Sequence, residues 1–182
     1  MKEITVIAHR ASEKNLPLLV AGGLAVEVHG YERRTFDADL VIRRTDRDKW
    51  LELMLELGFS VFLEGPVFLQ LIPPEAGQLP PVDLMFMTDE TFGKLAALAI
   101  PNPYGSDLPN VVSLESLVAM KCHAIRHGHP GRVVKDADDL IHLFMANRLD
   151  PEAEKWRELI LKFGTEELYE KLRRICKAGE GS

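Results

Sequence analysis

The chain has 182 residues, of which 46% are hydrophobic, 27% charged and 7% aromatic, with a formal net charge of −6. That length suits one domain, or one domain with a helical appendage. An acidic balance argues against an extended nucleic-acid-binding surface, although a local basic pocket needs only a few charges.

No apolar run approaches the eighteen or so residues that cross a bilayer, so the reading is no membrane association. The start, Met1-Lys2-Glu3-Ile4, lacks the apolar core of a signal peptide. Cys122 and Cys176 do not make a disulfide framework and read as small apolar residues in a reducing compartment. These signs together predict a cytoplasmic protein.

In chain order, a helix is expected over 2–14, stopping before Leu16-Pro17, then a buried strand at Leu18–Ala21 that ends at Gly22-Gly23. A helix follows to about Gly30, then a turn through Tyr31–Phe36, and Asp37–Arg43 is a second strand. Residues 46–57 have a helical apolar face (Trp50, Leu51, Met54, Leu55), with Asp46 as expected N-cap and Gly58 closing the helix. Phe59–Leu63 and Val67–Ile72 read as strands joined through Glu64-Gly65-Pro66. A Pro-rich loop then leads to the strand Val82–Met87, and Thr88 caps a short helix with Asp89 and Glu90 in its first turn. Residues 99–112 carry turn signals, and from Ser113 four helices are expected, near 113–127, 132–147, 151–162 and 165–177. The pattern predicts an α/β (α+β) sheet domain over 1–110 and a helical part over 111–182 packed on it.

The chemistry concentrates between Val20 and Val41. Two glycines at a strand-to-helix turn allow unusual backbone conformations and close approach of a ligand, and the following helix offers N–H groups to a phosphate. Asp37 and Asp39 lie two apart on an expected strand, so their carboxylates leave the same face. Such a pair suits hard cations such as Mg²⁺, and two ions about 3.5–4 Å apart clamp a phosphoryl group in in-line displacement. By itself an Asp-x-Asp pair also fits a solvated strand. Here Leu40, Val41 and Ile42 follow it, and two carboxylates on a buried face require a cation. A third aspartate, Asp83, interrupts another apolar strand.

Gly22-Gly23, then Arg34-Thr35-x-Asp37-x-Asp39, then strand-borne Asp83 resembles the polymerase-β-type nucleotidyltransferase superfamily. The nearer similarity is to bacterial minimal nucleotidyltransferases and AbiEii-type toxins, continuing through Ser113-x-Glu115-x-Leu117-x-x-x-Lys121 and Lys135-Asp136-x-x-Asp139-Leu140. The resemblance implies a nucleotidyltransferase-like mixed β-sheet flanked by helices, with a C-terminal helical part. It implies an NTP substrate, ATP among them, and Mg²⁺ or Mn²⁺ held by Asp37, Asp39 and Asp83. Gly22, Gly23, Arg34, Thr35 and Lys121 would attend the triphosphate, and Lys121 would also neutralise the leaving pyrophosphate. The acceptor would be a tRNA end, a protein or a small molecule, and a toxin role would bring an antitoxin partner. The alternative is a non-catalytic nucleotide- or partner-binding module on the same fold. Gly23 stands where many such transferases have serine.

The residues themselves leave several roles open. Lys121 falls in the apolar stripe of Leu114, Leu117, Val118 and Ile125, where a lysine needs a phosphate or a carboxylate, Asp136 being the candidate, or reaches water. Asp136 is either a secondary site residue or a structural partner. Arg34 is either a phosphate contact or a solvated loop residue. His123, His127 and His129 beside Cys122 suggest a metal cluster, but no Glu-x-x-His signature accompanies them and Cys122 points about 100° from His123. They read instead as a helix end that complements the dipole.

Overall fold

A computed structural model of the protein describes residues 4–74, 79–128 and 130–179. Residues 2 and 3 of the expected first helix, 75–78 of the Pro-rich loop, and His129 lie outside the described residues. The chain divides into two compact units, Met1–Val28 with Arg33–Ser113, and His29–Glu32 with Leu114–Ser182.

The first unit is built on a five-stranded mixed sheet. Its strands are β1 (Leu18–Val20), β2 (Ala38–Arg43), β3 (Ser60–Gly65), β4 (Phe68–Ile72) and β5 (Val82–Met87), in the order β1-β2-β5-β4-β3. Only β2 and β5 run parallel; the other neighbours are antiparallel. The helices are α1 (Thr5–Glu13), α2 (Gly22–Val28), α3 (Arg47–Glu56) and α4 (Asp89–Leu98). The central strands are apolar because they are covered: Leu40, Val41, Ile42, Leu69, Leu71, Val82 and Leu84 are buried, and so are Trp50, Leu53 and Met54 of α3. Each such side chain contributes about 1.5–3 kcal/mol on leaving water. The edge strand β3 is different, since Val61, Phe62 and Leu63 are all exposed.

Two local signals behave differently at the helix starts. Thr88 caps α4 by accepting from the Thr91 N–H at 3.2 Å. Asp46 makes no capping bond, because it lies in a 3-10 turn, Arg44–Asp46, with φ −97° and ψ 4°. The capping geometry needs an extended residue at that position.

The second unit consists of α5 (Leu114–His127), α6 (Pro130–Ala146), α7 (Glu154–Phe163) and α8 (Glu166–Gly179). Val118, Cys122, Leu140, Phe144, Ile160 and Leu172 form its core. Residues 29–32 belong to it as a strap: Asn147 Nδ2 donates to the His29 carbonyl at 2.8 Å, and the Tyr31 hydroxyl donates to Asp138 at 3.1 Å. The Tyr31 ring stacks on His142 with centroids 4.0 Å apart.

Candidate active site

The site begins where β1 gives way to α2. Gly22 has φ +54°, in the left-handed region, and a Cβ placed there would lie 1.7 Å from Asp39 Oδ2. A Cβ on Gly23 would lie 2.3 Å from Thr35 Oγ1. The glycine pair is therefore required by the approach of two side chains of this same chain. The Gly23 N–H donates to Asp39 Oδ2 at 3.3 Å, so that N–H faces a carboxylate rather than standing open for a phosphate. Asp39 is buried, and its carbonyl accepts from the Ala21 N–H at 2.9 Å, which locks β2 to the turn.

The approach to β2 is extended, and its side chains alternate in exposure. Arg33, Thr35 and Asp37 are half-buried, while Arg34 and Phe36 are exposed. This is the two-residue alternation of extended backbone. The Thr35 hydroxyl donates to Asp37 Oδ1 at 2.9 Å. The Arg33 guanidinium lies beside the glycine turn, its Nη2 3.2 Å from the position of a Gly23 Cβ. Arg34 instead lies over the Phe36 ring, 5.7 Å from its centroid. Of the two adjacent arginines, Arg33 is the one at the turn; Arg34, the expected phosphate contact, leaves the other side of the segment.

Across the sheet the polar row continues. Asp39 and Asp83 are register partners on parallel β2 and β5. Gln70 is the partner of Asp83 on β4, and its Nε2 donates to Asp83 Oδ2 at 3.0 Å. The strand neighbours Leu40, Leu69, Leu71, Val82 and Leu84 are all buried and apolar. Asp39, Asp83 and Gln70 thus form one polar line in an apolar sheet, with Asp37 just ahead of β2.

The three aspartates stand at neighbouring positions, but each carboxylate is turned to a protein donor: Asp37 to Thr35, Asp39 to the Gly23 N–H, Asp83 to Gln70. Among the described residues, no three His, Cys, Asp or Glu side chains converge on one ion centre. Like charges separate and take hydrogen-bond donors where they can. The donor chemistry nonetheless fits a hard cation: carboxylate oxygens on one sheet line, beside a turn with no side chains.

Lys121 lies in the second unit, and its ammonium donates to Asp136 Oδ1 at 2.8 Å and Asp139 Oδ2 at 2.6 Å. All three side chains are buried. Of the roles open to Lys121, the structure shows the buried ion pair. Two carboxylates take its donors. Asp136 is likewise a partner of Lys121, with Arg132 Nε 3.6 Å from its Oδ2.

Three residues of these clusters were assigned no role from the sequence. Arg33 could have been preferred to Arg34 by counting back in twos from Asp37 and Asp39. Gln70 is the polar interruption of Phe68-Leu69-Gln70-Leu71-Ile72. Asp139 is three residues from Asp136, on the same helix face.

No family model matches the chain, and no curated protein does. Solved structures do. An antigenic nucleotidyltransferase-like protein from Paracoccidioides brasiliensis is 17% identical, with TM-score 0.55, covering 96% of this chain and 90% of that one. ANT(2'')-Ia in complex with adenylyl-2''-tobramycin is 18% identical, with TM-score 0.50 and 99% of both chains covered. Lincomycin-bound LnuA, a lincosamide antibiotic adenylyltransferase, is 16% identical, with TM-score 0.51, covering 78% of this chain and 96% of that one. The architecture of this chain is the nucleotidyltransferase fold.

Proposed function

We propose that this chain is a nucleotidyltransferase that moves a nucleoside monophosphate from an NTP to an acceptor hydroxyl and releases pyrophosphate. The observation that carries the proposal is the register pairing of Asp39 with Asp83 beside the Gly22-Gly23 turn. Two carboxylates side by side on central strands repel, and a cation relieves that repulsion.

In this reading Asp37, Asp39 and Asp83 hold divalent metal, Mg²⁺ or Mn²⁺. When bound, the metal supplies the charge that neutralises the triphosphate and activates the attacking oxygen. The other roles belong to side chains and backbone. Gly22 and Gly23 attend the triphosphate through their backbone, with Asp39 and Thr35 packed against the turn. Arg33 meets its oxygens with a planar guanidinium fork. Thr35 holds Asp37 in place, and Gln70 holds Asp83, which is placed to accept the acceptor's proton.

ANT(2'')-Ia and LnuA were determined with antibiotics or their adenylyl adducts, which supports a small alcohol as the acceptor. The similarity to AbiEii-type toxins supports an RNA end or a protein, with an antitoxin as partner and the cytoplasm as location. The test is Mg²⁺-dependent pyrophosphate release from each NTP against an acceptor panel, with Asp37→Asn and Asp39→Asn as controls. Turnover that vanishes in both folded variants supports the site, and unchanged turnover in both refutes it.

One observation favours a second reading. Each carboxylate already accepts from a protein donor, as it would in a module that binds a nucleotide or a partner without catalysis. NTP binding with no pyrophosphate release against any acceptor would select it.

A further inference from the structure

α5 ends in a pair of histidines that the reaction above does not use. His123 and His127 are four residues apart, so they stand one above the other on a single helix face. Their rings already meet, with centroids 4.5 Å apart and planes inclined at 49°. Both side chains are exposed.

Two features set the pair apart from two unrelated surface histidines. Arg126, the cation between them in sequence, is drawn off, because its guanidinium donates to the Lys162 and Leu161 carbonyls at 2.8 and 3.0 Å. Finally, α5 terminates at His127, so the pair sits at the negative end of the helix dipole, where a cation is favoured.

We propose that His123 and His127 form a two-nitrogen clamp for a borderline divalent transition-metal ion of the Zn²⁺, Ni²⁺ or Cu²⁺ class. Among the described residues no third His, Cys, Asp or Glu joins the pair. Cys122 takes no part, for its side chain is buried in the core of the second unit. The clamp is chemically separate from the carboxylates of the first unit. Imidazole nitrogen selects borderline metals, and carboxylate oxygen selects Mg²⁺.

The experiment is calorimetric titration of the full chain with ZnCl₂ and NiCl₂ at neutral pH in saturating Mg²⁺. It is repeated with His123→Asn, His127→Asn and the double variant, each checked by circular dichroism. The expected result is one ion bound per chain at submillimolar concentration, unaffected by Mg²⁺. Each single substitution should weaken binding about tenfold or more, and the double variant should abolish it. A thermal shift on adding Zn²⁺ should disappear with it. Binding of unchanged affinity in both single variants, or no Zn²⁺ or Ni²⁺ binding by the native chain, overturns the proposal.

Discussion

Replacing Lys121 with methionine removes the positive charge from between two buried carboxylates. The side chains of Lys121, Asp136 and Asp139 keep 7%, 6% and 0% of their accessible surface. Water therefore cannot take over the role of the ammonium. Breaking a buried pair from one side costs about 3–5 kcal/mol, because a charge is left without a partner. Here two are left, and only Arg132, with Nε 3.6 Å from Asp136 Oδ2, offers partial relief. With a denaturant slope of about 1–3 kcal/mol per molar urea, the midpoint should fall by about 1–5 M. The assay is urea unfolding followed by circular dichroism. The triple variant Lys121→Met/Asp136→Leu/Asp139→Leu is run beside it, since an apolar replacement of the whole cluster should recover most of the loss. If Lys121→Met leaves the midpoint unchanged but abolishes NTP binding, the ion-cluster reasoning is wrong and the lysine belongs to the triphosphate.

Gly22→Ala should destabilise by at least the 1–2 kcal/mol or so of a left-handed non-glycine residue, with the overlap on Asp39 added; chemical denaturation reads it, and a neutral result would refute the close-packed turn. Arg33→Ala should weaken NTP binding about tenfold, the worth of one charge-assisted contact, whereas Arg34→Ala should not; equal losses in calorimetry would overturn the assignment by side. Cys122, with its thiol pushed up to about 12 by burial, should resist an aromatic disulfide reagent at pH 8 until the chain unfolds, while Cys176 reacts. Glu56 is held below its ordinary pKa chiefly by its hydrogen bond from Lys14 at 2.7 Å. A carboxylate lowered in this way stabilises above the unfolded value of 4.5 and loses its effect as pH falls through the folded one. The stability gap between the native chain and Glu56→Gln should therefore close in acid, and a gap that persists at the lowest pH would refute the ion-pair origin.

The strands and helices were legible because their apolar periods are long and their punctuation is strong. Val82–Met87 alternates buried and half-buried side chains along its whole length, and Gly58, with φ +85°, closes α3 where the sequence placed the stop. Strand order was not legible. Nothing local tells β3 that it is an edge, and its Val61-Phe62-Leu63 run reads like an interior strand although all three are exposed. Pairing partners distant in the chain decide that, as they decide that Gln70 meets Asp83. In the site, the types of residue were legible and their partners only in part. The aspartates were found from spacing. The donors to these carboxylates come from three different segments, which a reading along the chain does not bring together.

The two arginines before β2 show how narrow the margin is. Arg33 and Arg34 have the same charge and the same reach, and composition cannot separate them. The backbone does, because Thr35 is tied to Asp37 and Asp37 is fixed by the register of Asp39 with Asp83. Once that register is set, every second residue back from Asp39 turns to the glycine turn, and the residues between turn to solvent. Arg33 falls on the first set, and Arg34 joins the exposed Phe36 on the second. The same constraint explains the glycines. Asp39 and Thr35 lie on the inward set, and both would collide with a Cβ on the opposing turn. The glycine pair, the inward arginine and the aspartates are thus consequences of one register rather than separate features.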